Sequence, residues 1–397
     1  MTLKVPEGFR LNGVHCGIKQ HSRQEDVTLL VSDTAATAAG VYTQNLIRAA
    51  AVELDEQRTP AESIRAIVVN SGNANACTGQ RGRSDAARTT QFVADACGLA
   101  ADQVLVMSTG IIGNYLPMER LSAGIRSAAG SLEADAQHLE AAARGMMTTD
   151  TVPKLTGQEI STSHGPVCIT GLAKGSGMIA PRMATMLSVI LTDAPLKANI
   201  AQRMLADVVD HSFNCVTVDG HESTNDTVLL LANGRACSGP LSDADLKLFR
   251  RALQDVCVKL ARSIASDGEG ATHLITIGVR GCTARAAALR IARAVANSPL
   301  VKTAVTGGDP NWGRVVSAAG YAGVDFDPSQ FDVSINGVTI YGSGAPVPFD
   351  AVQLSTSMRN EFETQIVLTF RNGKAAAVYW TCDLTDTYVR INADYHT

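Results

Sequence analysis

Between Gly171 and Asp193 the chain reads GLAKGSGMIAPRMATMLSVILTD. A glycine-rich turn runs into Pro181, a small residue and a threonine follow as Ala184-Thr185, and an apolar, β-branched run comes next, with the look of a buried strand. A threonine at the start of a strand is ordinary by itself; the tight loop before it is what singles Thr185 out. A hydroxyl in that position can attack the carbonyl of Ala184. This N-to-O acyl shift, followed by hydrolysis of the ester, would cut the chain and leave Thr185 as a new N-terminus. The released α-amine has a reference pKa of about 7.7–8.0, so a useful fraction is neutral near physiological pH. It can accept the proton of its own side-chain hydroxyl, making nucleophile and base from one residue.

Other chemistries find less support. Gly175-Ser-Gly177-Met-Ile-Ala180 fits the loose dinucleotide form G-x-G-x-x-A, but that motif must open a helix so that N-terminal amides face the pyrophosphate. The residues after Pro181 lack helical spacing, and no GxxxxGK[ST] loop occurs. The eight histidines are scattered, His221-Glu222 lacks the second histidine of HExxH, and Asp267-Gly-Glu269-Gly270 has too few oxygens in series for a calcium loop. Nine cysteines occur singly with no CxxC pair, which suits small buried side chains in a reducing cytosol. A formal charge of −4 disfavours nucleic acid as the main partner. No apolar run is long enough for a membrane span, and the first residues lack the apolar core of a signal peptide.

The elements that must position this chemistry alternate strand and helix. Arg65–Gly72 and Asp102–Gly113 read as strands ending in polar loops, and Ser84–Gly98 as a helix with Ser84 as N-cap and a glycine stop. Helical patterns cover Met118–Gly130 and Leu132–Met147, and a strand pair falls near 159–163 and 166–172. Leu246, Phe249, Leu253, Val256, Leu260 and Ile264 form one apolar stripe of a long helix from Ser242 to Ile264. Asp309-Pro310 reads as a helix start and Asn336-Gly337 as a two-residue hairpin turn. A compositional seam at Gly278–Ala287 suggests two domains, with the smaller at the C-terminus. The interleaving indicates an α/β layered architecture.

KGSGMIAPRMATML closely resembles the self-cleavage segment of the ornithine acetyltransferase family, the bifunctional glutamate N-acetyltransferase / amino-acid acetyltransferases. VNSGNANACTG, STGIIG, TTDTVPK, TVDG…STNDTVLLLANG, SDGEGATH, GGDPNWGR and NADYHT resemble the same family in the same order, so the likeness spans nearly the whole chain. It implies a four-layer αββα sandwich resembling the N-terminal-nucleophile hydrolases. Residues 1–280 would form this self-cleaving domain, with the α chain ending at 184 and the β chain starting at 185. Residues 281–397 would form a smaller α/β domain whose tail returns to the active site. The implied reaction moves acetyl from N2-acetyl-L-ornithine to L-glutamate in cytoplasmic arginine biosynthesis. The implied assembly is an α2β2 tetramer made from one precursor. No cofactor is expected, with acetyl-CoA as an optional co-substrate because some family members use it. A relative working as an N-terminal-threonine amidase or aminopeptidase is the alternative, with water as acceptor.

Carried over residue by residue, the resemblance makes Thr185 the nucleophile, with cleavage at Ala184-Thr185, and Thr109 with Gly110 the oxyanion hole. Thr151, Lys174, Thr185, Glu269, Asn392 and Thr397 fall on substrate-binding positions. Lys174 suits the carboxylate of an amino acid. Glu269 suits an ammonium, either the substrate's or that of Thr185. Two positions depart from the family's usual pattern: Arg182, three residues before the nucleophile, and His221-Glu222.

Overall fold

The computed structural model describes residues 3–19, 22–180 and 186–394. The chain divides into two compact units, Met1–Asn214 with His221–Leu260, and Cys215–Gly220 with Ala261–His396. The first contains β1 (Phe9–Val14), β2 (Val27–Tyr42), α1 (Ala50–Arg58), β3 (Ala61–Asn73), α2 (Gly79–Cys97) and β4 (Val104–Ile111). It continues through α3 (Met118–Ala129), α4 (Ala136–Met146), β5 (Lys154–Thr162), β6 (Gly165–Lys174) and β7 (Leu187–Thr192). It ends with α5 (Ala198–Asp210), β8 (Thr227–Ala232) and most of α6 (Asp243–Ser266).

The strands form one ladder, β4-β3-β2-β8-β7-β6-β5, with β1 paired to β2. The long β2 makes this a sandwich. Val27–Val31 pair with β3, the register shifts between Val31 and Ala36, and Thr37–Tyr42 pair with β8. The irregularity lets the two halves of the ladder turn toward each other. Side chains then alternate between faces. Leu30, Ile67, Val69, Leu105 and Met107 of one half share an apolar cluster with Leu172, Val189, Leu191, Leu229 and Leu231 of the other, joined by Leu139 and Met146 of α4. Each such side chain contributes about 1.5–3 kcal/mol on burial. The outer face of the first half (Val27, Leu29, Val68, Val106) packs on Val93, Leu121 and Ile125 of α2 and α3. On the outer face of the second half, α6 comes so close to β6 that a Cβ on Gly171 would lie 2.7 Å from Leu260 Cδ1. With α5 against β2 and β8, the layers are helix, sheet, sheet, helix, as expected.

The second unit contains β9 (Leu274–Cys282), α7 (Arg285–Ala296), α8 (Pro299–Thr306), α9 (Trp312–Gly320), β10 (Phe331–Ile335) and β11 (Val338–Gly342). β12 (Ala345–Pro346), α10 (Ala351–Asn360), β13 (Glu363–Phe370), β14 (Ala375–Cys382) and α11 (Asp386–Asp394) follow. Its sheet runs β12-β11-β10-β13-β9-β14. Asn336 and Gly337 have φ of 46° and 82°, the left-handed pair that a tight hairpin turn requires.

Three local expectations need correction. The seam expected at 280/281 would cut β9, whose residues pair with β13 and β14, so the division falls earlier, after Leu260. Helix α2 starts at Gly79, not after Ser84. The Asn75 amide donates to the Gly82 carbonyl (3.0 Å) and the Thr78 hydroxyl to Asn75 Oδ1 (2.9 Å). These loop side chains hold an extra turn that glycines would not form by propensity. Asp309 is not the cap of α9: Asn311 takes that place and accepts from the Arg314 N–H at 3.1 Å. Among the described residues no helix is long and apolar enough to cross a membrane.

Candidate active site

In the first unit Thr109, Gly110 and Lys174 sit at strand ends. β4 carries Thr109 and Gly110 at its C-terminal end, parallel to β3, with Ser71 opposite Thr109 and Gly72 opposite Gly110. Gly110 has φ +132°, and a Cβ there would lie 2.3 Å from the Gly72 carbonyl carbon, so only glycine fits. Thr109 is buried. β6 ends at Lys174, which pairs with Leu187, the first residue of β7. The register therefore places Lys174 beside the strand that begins two residues after Thr185 in sequence. Its ammonium donates to Thr109 Oγ1 at 3.3 Å, both side chains being buried. Because the threonine oxygen accepts from Lys174, its own O–H can be given to another acceptor, as an oxyanion donor must.

Charge compensation for this cation comes from Asp150. Its Oδ1 accepts from Lys154 Nζ at 2.7 Å and from the Gly175 N–H at 2.6 Å, and its Oδ2 accepts from the Thr148 N–H at 3.0 Å. Burial disfavours the charged carboxylate, yet the Lys154 and Lys174 charges and the Gly175 N–H outweigh it and hold Asp150 well below the usual carboxylate range. Asp150 thus serves two buried lysines at once. The next residue, Thr151, lies on an exposed bend between α4 and β5. A third lysine borders the glycine pair: a Cβ on Gly72 would come within 3.1 Å of Lys19 Cγ. Burial lowers the Lys19 ammonium to about 8, against the opposing pull of Asp26 and Asp150.

The loop Gly175–Ala180 does not open a helix, and Gly175 and Met178 take positive φ (152° and 55°). The dinucleotide reading thereby loses the helix N-terminus it needs. Residues 181–185, and with them the expected nucleophile Thr185, the Ala184-Thr185 bond and Arg182, lie outside the described residues, as does Thr397.

In the second unit the structure brings Glu269 and Asn392 together. Glu269, buried in the loop between α6 and β9, accepts from Asn392 Nδ2 at 2.8 Å. Asn392 sits on α11 and also donates to the Tyr388 carbonyl at 3.1 Å. Helix α11 lies against that loop: a Cβ on Gly270 (φ +69°) would be 2.6 Å from Tyr388 N. The Tyr388 hydroxyl donates to Asp219 Oδ2 at 3.3 Å. Burial, followed by the Asp219 charge, raises the Tyr388 phenol.

Residues 10–397 match the model of the ArgJ family. A curated relative, the arginine biosynthesis bifunctional protein ArgJ of Rhodopirellula baltica, is 44% identical over 99% of this chain and 96% of its own length. The protein of the same name from Symbiobacterium thermophilum is 45% identical over 99% of this chain and 98% of its own. The chain belongs to the ArgJ family. A solved ArgJ structure from Bacillus halodurans matches with a TM-score of 0.52 and 38% identity, covering 53% of this chain and 100% of the solved one.

Residue types and spacing alone do not reveal Asp150, Lys154 and Lys19 as neighbours of the expected residues Thr109, Gly110 and Lys174. Asp150 and Lys154 stand four apart in TTDTVPK, a spacing that suggests partners only on a helix; here a bend and a strand start bring them together. Lys19 reaches the glycine pair through a loop whose main chain is tied to Asp26, which accepts the N–H groups of Cys16, Gly17, Ile18 and Lys19.

Proposed function

We infer that this chain is an acetyltransferase of arginine biosynthesis that moves acetyl from N2-acetyl-L-ornithine to L-glutamate through an acetyl ester on Thr185. The observation that carries the reading is the match to bifunctional ArgJ proteins over 99% of the chain. The buried Lys174–Thr109 contact beside the strand after Thr185 supports it.

The chemistry runs in two stages. In the first, Thr185 Oγ attacks the Ala184 carbonyl; the acyl group moves from nitrogen to oxygen, and water then hydrolyses the ester. The products are an Ala184 carboxylate and a Thr185 with free amine and hydroxyl. In the second, Thr185 Oγ attacks the acetyl carbonyl of acetylornithine while its amine takes the hydroxyl proton. The Thr109 hydroxyl and Gly110 N–H meet the tetrahedral oxyanion; losing one such donor typically costs about 10²–10³ in rate. The amine returns the proton to the leaving nitrogen, and ornithine departs. The glutamate amine then attacks the acetyl ester, loses a proton to the same base and regenerates Thr185. Lys174 suits a substrate carboxylate, Glu269 an ammonium, and Thr151, Asn392 and Thr397 the polar ends of the amino acids. Acetyl-CoA as a second donor, cytoplasmic location and an α2β2 assembly of the two cleaved chains belong to the same reading.

Incubation with acetylornithine and glutamate, followed by separate quantification of acetylglutamate and free acetate, tests the reaction. Acetylglutamate in proportion to ornithine is expected. Acetate alone would make the enzyme an amidase.

A further inference from the structure

The dipeptide Asn225-Asp226, just before β8, touches both strands that the chemistry needs. Asp226 is completely buried, and its Oδ1 accepts the N–H of Met186 at 2.9 Å. Met186 directly follows Thr185 in sequence. The carbonyl of Met186 is fixed too, accepting from Thr227 N at 3.2 Å. On the other side, Asn225 Nδ2 donates to the Ser108 carbonyl at 2.8 Å and to the Ala74 carbonyl at 2.7 Å. Ser108 directly precedes Thr109. Two adjacent side chains thus hold the backbone one residue from the nucleophile and one residue from the oxyanion donor. β4, which carries Thr109, and β7, which begins at Leu187, are not neighbours in the ladder, so sheet pairing alone does not set their separation.

We propose that Asn225-Asp226 is the positioning element that fixes the distance between Thr185 and the Thr109-Gly110 oxyanion hole, for self-cleavage and acetyl transfer alike. The inference rests on Thr185 as nucleophile. Asp226 acts in this role as the neutral acid. Its Oδ2 is buried with no hydrogen-bond partner among the described residues, an arrangement costly for a carboxylate. Burial pushes its carboxyl well above the usual range, with Glu222 adding in the same direction; the Met186 N–H, Lys174 and Ser223 oppose this. A neutral acid keeps Oδ1 as acceptor for Met186, and so does the amide of asparagine, which has the same shape. A shift of about 1 Å in reacting groups can cost about 10²-fold in rate.

The test compares wild type, Asp226→Ala and Asp226→Asn by melting temperature, by the fraction of uncut chain in intact mass spectra, and by kcat and KM for acetylornithine. Asp226→Ala should accumulate uncut chain and lose about 10²-fold in kcat, with KM changed less than about threefold. Asp226→Asn should cut and should stay within about tenfold of wild-type kcat, with a flat response across neutral pH. Folded Asp226→Ala with wild-type cutting and kcat would overturn the proposal. So would Asp226→Asn with unchanged melting temperature and a loss of 10²-fold or more, since the carboxylate itself would then be moving a proton. If the alanine variant does not fold, the asparagine variant decides between these outcomes. Wild-type protein that is never cut or acetylated at Thr185 would instead refute the functional reading on which the proposal depends.

Discussion

The Lys174–Thr109 group of the first unit and the Glu269–Asn392 pair of the second are built on opposite principles. Lys174, Thr109, Asp150 and Lys154 are all buried at 8% exposure or less and sit at or beside strand ends, with Asp150 as the anion facing both lysines. Glu269 lies at 9% exposure, but its partner Asn392 is exposed on the short terminal helix α11, none of whose residues is buried. A group that must meet charge appearing only in the transition state gains from being immobile and dry. One that receives and releases substrate needs access to solvent. On the reading proposed above, Thr109 of the first region would set rate, and the Glu269–Asn392 pair of the second would set affinity.

Mutation of Asp150 sharpens that contrast most. Asp150→Ala leaves two buried ammonium groups without their shared counterion, and breaking a buried pair in this way costs about 3–5 kcal/mol, readable as a shift in urea unfolding. The folded Asp150 carboxyl is held below its ordinary range, so its stabilising contribution is present above about pH 4, where the unfolded carboxyl is also ionised. It is lost as pH falls through the lower folded value. The acid-unfolding curve of Asp150→Ala should therefore be flatter than wild type below pH 4. A variant as stable as wild type would mean that the lysines find other partners.

Thr109→Ala comes next. Loss of one oxyanion donor should lower kcat by about 10²–10³ while KM for acetylornithine moves little, because the hydroxyl acts on charge absent from the ground state. Thr109→Ser should restore most of the rate. A rise in KM with kcat unchanged would turn the contrast around, making Thr109 a binding residue.

Asn392→Ala should have the smallest effect and the opposite form. KM should rise by about tenfold, the worth of about one hydrogen bond to a charged group, with self-cleavage complete and kcat nearly kept. Deleting Asn392–Thr397 should raise KM further and still leave two chains. If either change stops cleavage, the tail belongs to the first region's chemistry after all.

Where one element dictates its own pattern, the sequence is readable. The apolar stripe of α6, the Asn336-Gly337 turn and the hairpin of β5 and β6 all appear near their expected positions. Helix α2 begins earlier than its own residues suggest because Asn75 and Thr78, outside it, hold its first turn. The domain seam near 280 is a change in composition at the end of β9, and the partners of β9 lie about a hundred residues downstream. The same holds at the site. Thr109, Lys174, Glu269 and Asn392 could be named from family motifs, but Asp150 comes to face Lys174 only through the pairing of β5 with β6, and Asn225-Asp226 becomes a positioning element only through its contacts to Ser108 and Met186. No local spacing encodes those contacts.

The central claim is that Thr185 cuts the chain and then carries the acetyl group. Intact mass spectrometry of wild type and Thr185→Ala, before and after acetylornithine without glutamate, tests both halves. Wild type should give two chains, one ending at Ala184 and one beginning at Thr185, and the second should gain one acetyl group that glutamate removes. Thr185→Ala should remain a single chain without acetyl. A Thr185→Ala protein split at the same bond, or a wild-type chain that transfers acetyl without ever carrying it, would contradict the account.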